Sequence, residues 1–217
     1  MNPAPQTASS RDSVAPAAAT LSLRAVTRSF AGRLVIGPID LDLEPGAVCL
    51  VEGANGAGKT TLLRLAAHLL APSSGRCRNA GLAVYVRPGA GARGEQSVGQ
   101  ALDWAYRTAA RRGMPPDDAL DLVGLTVPTA SVVAALSAGQ HTRLAMAIAL
   151  VTGPALACVD EPTAHLDGPG CAGVVQAVAA LAAAGSAVLV ATPVPDTLDC
   201  PADAYLRLRH GLLEVPP

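Results

Sequence analysis

The sequence has no run of basic residues and no excess of either charge: 16 Lys and Arg stand against 17 Asp and Glu, with a formal net charge of -1. Nucleic-acid binding needs a basic stripe or patch, so no nucleic-acid partner is expected. A CxxC pair is also missing. The five cysteines, Cys49, Cys77, Cys158, Cys171 and Cys200, are scattered singly. Cys49 and Cys158 sit inside apolar strand-like runs, which reads as buried reduced thiols of a cytosolic protein and not as disulfides or a metal site. Nor is there an unbroken apolar run of membrane-spanning character. The longest stretch, Gly173 to Val194, is interrupted by Gly185-Ser186, and a turn pair in mid-membrane would leave backbone groups unsatisfied. It reads as a buried Ala-rich helix (Asp167 to Ala184) turning into a buried strand (Ala187 to Ala191). Residues 1–20, rich in Pro, Ala and Ser without a continuous apolar centre, read as a disordered N-terminal extension and not as a signal peptide.

What remains, 21–217, is enough for one good core, since half of the 217 residues are hydrophobic. "LSLRAV" and "IDLDL" (Ile39 to Leu43) alternate apolar and polar residues, as a half-exposed antiparallel sheet requires. "AVCLVEG" (Ala47 to Gly53) is continuously apolar, the mark of a strand covered on both faces. A helical pattern follows from Gly58 to Leu70, stopped by Pro72 and an "SSG" turn. From about 89 to 135 the character changes: "GAGARG", a helix from Val98 to Arg112 with the one Trp (Trp104), then "MPP" and a short helix. This reads as an inserted helical subdomain. A helix from Gly139 to Val151 and a strand from Leu156 to Val159 lead back into the α/β core.

Three motifs carry chemistry. "GANGAGKTT", comprising Gly53, Ala54, Asn55, Gly56, Ala57, Gly58, Lys59, Thr60 and Thr61, matches a phosphate-binding loop and lies between a buried strand and a helix. Its glycines let backbone N–H groups converge on phosphate oxygens, Lys59 adds a full charge, and the Thr60 hydroxyl can ligate Mg²⁺. "LACVDEP" (Leu156 to Pro162) is an apolar strand ending in two acids. Asp160, costly to bury unless it faces a cation, is placed to hold Mg²⁺. Glu161, nearer solvent, is placed to orient and deprotonate an attacking water. "LSAGQ" (Leu136 to Gln140) opens a helix; taken alone, Ser137 is an ordinary N-cap.

In this order, with "VDEPTAHLD" last, the motifs resemble the ATP-binding cassette (ABC) family, whose signature is usually Leu-Ser-Gly-Gly-Gln. The resemblance covers nearly the whole chain from Leu21. It implies a P-loop α/β core with an antiparallel β subdomain and a small helical subdomain. Arg143 falls where the family places an arginine after its signature, "AHLD" (Ala164 to Asp167) resembles its D-loop, and "LRLRHGLLEV" resembles its closing hairpin. Phe30 falls where an aromatic residue stacks on adenine, with a packing role the alternative.

The resemblance further implies two ATP molecules held between two head-to-tail cassettes, as a homodimer or heterodimer. Ser137, Gly139 and Gln140 would reach the γ-phosphate on the partner's loop. The hydrolysis would drive a separately encoded transmembrane permease from the cytoplasmic face of the membrane. The LSAGQ wording is similar to the haem-export (cytochrome c biogenesis) branch, and Ala138 keeps the signature's middle position small. Two departures stand out. Pro88 in "YVRPGAG" occupies the place of the family's Q-loop glutamine, and Pro193 the place of its switch histidine; proline offers no N–H. Two readings follow: a hydrolysing transport ATPase, or a weakly hydrolysing regulatory or heterodimer partner cassette.

Overall fold

The computed structural model describes residues 19–164, 166–193, 198 and 200–215. Most of the expected N-terminal extension, 1–18, lies outside the described residues. Thr20, which the sequence reading assigned to that extension, is buried and donates its N–H to the Leu43 carbonyl.

Strands β1 (Leu21–Phe30) and β2 (Arg33–Leu43) form an antiparallel hairpin. Its two-residue turn, Ala31 and Gly32, has positive φ at both positions, matching the twist of the strands. Strand β4 (Ser74–Asn79) pairs with the other edge of β1, giving the order β2-β1-β4. The expected "SSG" turn is thus the start of a strand, and "LSLRAV" is only the first half of one. Bulges in β1, at Ala25 among others, interrupt its period-two pattern and conceal the strand's length.

The main sheet has the order β5-β6-β7-β3-β8-β9. It comprises β3 (Val48–Glu52), β5 (Ala83–Val86), β6 (Leu156–Asp160), β7 (Ala187–Thr192), β8 (Ala204–Arg209) and β9 (Leu212–Glu214). All pairings are parallel except β8 with β9, the expected closing hairpin. The continuous apolar strands have the predicted reason for being so. Val48, Leu50, Ala157, Val159, Val188 and Val190 point into one core cluster. Their sequence neighbours Cys49, Val51, Cys158, Leu189 and Ala191 point into another. Each face is therefore covered, and each buried Val or Leu side chain contributes about 1.5–3 kcal/mol relative to exposure.

Helix α1 (Lys59–Ala66) and the three-stranded sheet cover the second face. The first face is covered by α4 (Ala138–Thr152) and α5 (Gly168–Ala183), with α2 (Val98–Thr108) and α3 (Pro116–Leu122). The elements of 98–135 bury their apolar side chains in the same cluster as α4. That helix is apolar around most of its circumference and buried accordingly. Within the Gly173 to Val194 stretch, α5 and β7 are separated as expected by Gly185, and among the described residues no helix is long and apolar enough to cross a membrane.

Two helices end sooner than their patterns predict. α1 stops at Ala66 because His68 takes a left-handed conformation, with its N–H on Leu65 and that of Leu69 on Arg64. This is a Schellman closure with histidine where glycine is usual. α2 ends at Thr108 and not at Arg112, since Ala110 and Arg111 both adopt positive φ.

All five cysteines are free thiols. Burial pushes Cys49 up to about 12 and Cys77 up to about 11, and raises Cys158 further, so these groups stay protonated and unreactive. In the native protein a thiol-specific chromogenic reagent at pH 8 should modify the part-exposed Cys171 first. Cys49 and Cys158 should react only after unfolding in guanidinium; rapid native modification at either position, read by peptide mass spectrometry, would contradict the packing.

Candidate functional site

The C-terminal ends of β3, β6 and β7 lie side by side, Glu52 in register with Thr192 and Asp160 with Ala191. Open parallel sheets bind ligands at this edge. From β3 the loop Gly53–Gly58 leads directly into α1. Gly58 must be glycine on two counts: its φ is 108°, and an added Cβ would lie 2.8 Å from Ile36 and 3.1 Å from the Val35 carbonyl. Gly53 is constrained by crowding, since a Cβ there would stand 2.5 Å from the Leu208 carbonyl.

Lys59 is the chain's one lysine, and at 4 % exposure it is nearly buried. Its Nζ donates to the Gly53 carbonyl at 2.8 Å and lies 3.3 Å from Glu161 Oε1. Glu161 reaches it through an unusual backbone: its N–H completes the ladder to the Ala191 carbonyl, and then its φ of 47° turns the chain out of the sheet. A left-handed non-glycine residue costs about 1–2 kcal/mol. Such strain is characteristic of functional positions.

Asp160 is 8 % exposed. Its Oδ2 accepts from the Thr60 hydroxyl at 2.8 Å and from the Tyr85 hydroxyl at 2.6 Å. Its Oδ1 is buried and finds no hydrogen-bond partner among the described residues. Burial, reinforced by the hydrogen bond to and the charge of Asp160, pushes the Tyr85 phenol up to about 12, so it remains a proton donor. Thr60 and Asp160 are hard oxygen donors, and the orphaned Oδ1 fits a hydrated divalent cation of the Mg²⁺ type. No cluster of three or more His, Cys, Asp or Glu suited to a metal occurs among the described residues. A cation held by Thr60 and Asp160 would need further oxygens from water or substrate.

Two cavities flank the loop. The smaller, 360 Å³, is lined by Asn55, Gly56, Lys59, Thr60, Thr61 and Glu161 among others. It sits at the N-terminus of α1, where backbone N–H groups and the helix dipole favour an anion. The larger, 1120 Å³, lies against Gly53–Ala57 and takes walls from Arg33, Val35, Pro193 and Arg209. The loop residues, Lys59, Thr60, Thr61, Asp160 and Glu161 are thus brought together.

Others are not. Phe30 lines neither cavity; it is 43 % exposed, with the Arg28 guanidinium 4.5 Å from its ring centroid. Ser137, Gly139 and Gln140 also line neither. Ser137 caps α4 reciprocally, its Oγ accepting from the Gln140 N–H while Gln140 Oε1 accepts from the Ser137 N–H. Asp167 caps α5 by accepting from the Gly170 N–H, and its Oδ1 also takes the Arg143 guanidinium at 3.2 Å. Ser137 and Ala138 are exposed, so this end of α4 faces outward. His165 of the "AHLD" segment and the residues just after Pro193, 194–197, lie outside the described residues. Tyr85 was missed in the sequence. Its only signal is its place near the end of an apolar strand, since register, invisible in the chain order, brings it to Asp160.

Fold and site define a P-loop nucleotide-binding protein with a strand-end Asp-Glu pair. The ABC transporter family model matches residues 36–164. The cytochrome c biogenesis ATP-binding export protein CcmA of Sphingopyxis alaskensis is 36% identical over 172 residues, 79% of this chain and 89% of that one. Its counterpart in Rhodobacter capsulatus is 37% identical over 177 residues, 80% and 81% of the two chains. Among solved structures, an ATP-binding subunit of an ABC transporter superposes with a TM-score of 0.79 at 20% identity, covering 90% of this chain and 88% of that one. A dimeric ATP-binding cassette in a post-hydrolysis state, bound to ADP and Pi, gives 0.77 at 20%, covering 89% and 96%. The chain belongs to the ABC transporter family and is an ATP-binding subunit with the ATPase fold of that family.

With one lysine in the sequence, amine chemistry reports on the site directly. An amine-reactive reagent should modify Lys59 and, apart from it, only the N-terminal amine, and ATP at saturating concentration should protect Lys59 at least about tenfold in rate. Equal labelling with and without nucleotide would show that the triphosphate does not reach this loop.

Proposed function

We propose that this chain is the ATP-hydrolysing subunit of an exporter of the haem or cytochrome c biogenesis type, working with a separately encoded membrane permease at the cytoplasmic face of the membrane. The observation that carries it is the convergence of the phosphate loop, Lys59, Thr60, Asp160 and Glu161 at one strand edge. The export role is supported by the relatives' names. Residues 21–217 act as one ATP-binding domain, with 89–135 as its helical subdomain.

In this reading the loop N–H groups and Lys59 hold the ATP phosphates, while Val35 and Phe30 contribute to the adenosine side. Mg²⁺, held through Thr60 and Asp160, would supply charge neutralisation on the phosphate oxygens. Glu161 accepts a proton from the attacking water; its present partner, Lys59, must be drawn to the phosphates first, which releases the carboxylate for that task. The outward-facing Ser137, Gly139 and Gln140 complete the site of a second cassette, and Asp167 lies at the same interface. A homodimer or heterodimer provides two such composite sites.

One observation favours a second reading. Pro193 lines the larger cavity beside the loop and can donate no hydrogen bond there, and in this second reading turnover is held low and the chain serves as a nucleotide-binding partner cassette. A missing donor of this sort costs on the order of 10²–10³ in rate.

For the transport reading, expressing the chain, with a permease encoded beside it where there is one, in a bacterium lacking its own CcmA should restore c-type cytochromes; failure with the expressed chain present at the membrane would reject that assignment. Glu161→Gln should lower ATP turnover by about 10²-fold or more while leaving ATP binding intact. Turnover of the parent protein distinguishes the two readings. A gain of roughly 10²-fold in Pro193→His supports the impaired cassette, and an already ordinary rate, unchanged by the substitution, rejects it.

A further inference from the structure

Strand β5 runs parallel to β6 with Tyr85 in register with Cys158. Residues two apart on a strand share a face, so Tyr85 stands on the same side as Cys158 and Asp160, towards α1. There its hydroxyl donates to Asp160 Oδ2 at 2.6 Å, the oxygen that also receives the Thr60 hydroxyl at 2.8 Å. From α1 the Arg64 guanidinium stands 5.8 Å from the centre of the Tyr85 ring, a cation–π contact between that helix and the ring. Asp160 Oδ2 is thereby saturated by two donors, whereas Oδ1 is buried with none among the described residues. A carboxylate with one oxygen so occupied has its plane fixed, and the remaining oxygen is the one free to meet a cation or its water. Tyr85 lines neither cavity of the phosphate loop, so it acts on the site through Asp160 alone.

We propose that Tyr85 is a positioning residue of the metal–nucleotide site: by occupying Asp160 Oδ2 it reserves Oδ1 for a hydrated divalent cation. The inference rests on the reading of Thr60 and Asp160 as the metal-side groups. Partners of this kind, which orient a metal ligand without touching the metal, typically govern affinity by 10- to 100-fold.

The test uses the full chain, ADP, and Mn²⁺ as the paramagnetic probe. Tyr85→Phe should weaken Mn²⁺ binding to the protein–ADP complex by about tenfold, while ADP affinity in EDTA stays within about twofold and the melting temperature of the nucleotide-free chain falls only by the few degrees that one lost hydrogen bond costs. Unaltered Mn²⁺ affinity would overturn the proposal. So would a loss matched by equal losses of metal-free ADP affinity and of thermal stability, which indicates a packing role. If the parent protein itself shows no metal-dependent gain in ADP affinity, the metal-side reading of Thr60 and Asp160 fails, and the proposal with it. A measurement on the unsubstituted chain keeps the question answerable if Tyr85→Phe does not fold. The sequence has three tyrosines, and in 3-fluorotyrosine-labelled protein, assigned through Tyr106→Phe and Tyr205→Phe, the Tyr85 resonance should move when Mg²⁺ is added to the ADP complex. A resonance indifferent to the cation would also overturn the assignment.

Discussion

A carboxylate at the end of a buried strand is expensive, and Asp160 is where this fold concentrates that cost. Its Oδ2 draws donors from two other elements, Thr60 at the first turn of α1 and Tyr85 near the end of β5. The same hydrogen bonds that offset its desolvation hold helix, edge strand and central strand at fixed positions. Because α1 follows the loop without a break, tying Thr60 to β6 also sets where the loop's N–H groups point. The phosphate site and its acidic edge are therefore one unit, and the orphaned Oδ1 is the point at which that unit is unfinished without a ligand.

Glu161 complements this arrangement by being strained where Asp160 is pinned. Asp160 continues the sheet; the next residue leaves it through a left-handed turn. That change of direction sends two adjacent carboxylates to different tasks, one held in the sheet and one against the buried Lys59. A loop lysine flanked by a carboxylate and by the Gly53 carbonyl is neutralised locally. An entering polyphosphate would compete for it, and with Glu161 in the proposed role of base, binding of the substrate and release of that base would be a single exchange of partners.

Legibility in the sequence followed the range of the interactions. The loop was readable because Gly53 and Gly58 are forced by contacts within a few ångströms. The starts of α4 and α5 were readable because Ser137 and Asp167 cap them through bonds three residues away. Strands β3, β6 and β7 declared themselves by being apolar on both faces, which only a doubly covered parallel sheet requires. The end of α1 was not readable, since His68 adopts a conformation for which glycine is the usual signal. The true length of β1 was hidden by its bulges, and Tyr85 by a pairing with β6 across more than seventy residues of chain. Phe30 was legible only as a position: it suits a base-stacking residue, while in the fold one face of its ring meets Arg28 and the cavity walls begin with Arg33 on the next strand.

The outward-facing half of the machinery is held as firmly as the inward one. Helix α4 is buried along most of its length, so its exposed first turn cannot shift without the rest. Arg143, near that end, donates to the Gly124 carbonyl at the close of α3 and to the Asp167 carboxylate that caps α5. Further along, Gly91 lies so near Ile148 that even a methyl group would stand 2.9 Å from it. The turn after β5, which contains Pro88, thus rests on the same helix that presents Ser137. Arg143 joins the same helix to α5, so the turn, α4 and the start of α5 are packed against one another. Pro88 therefore lies in a turn packed against α4, the helix whose exposed first turn Ser137 caps.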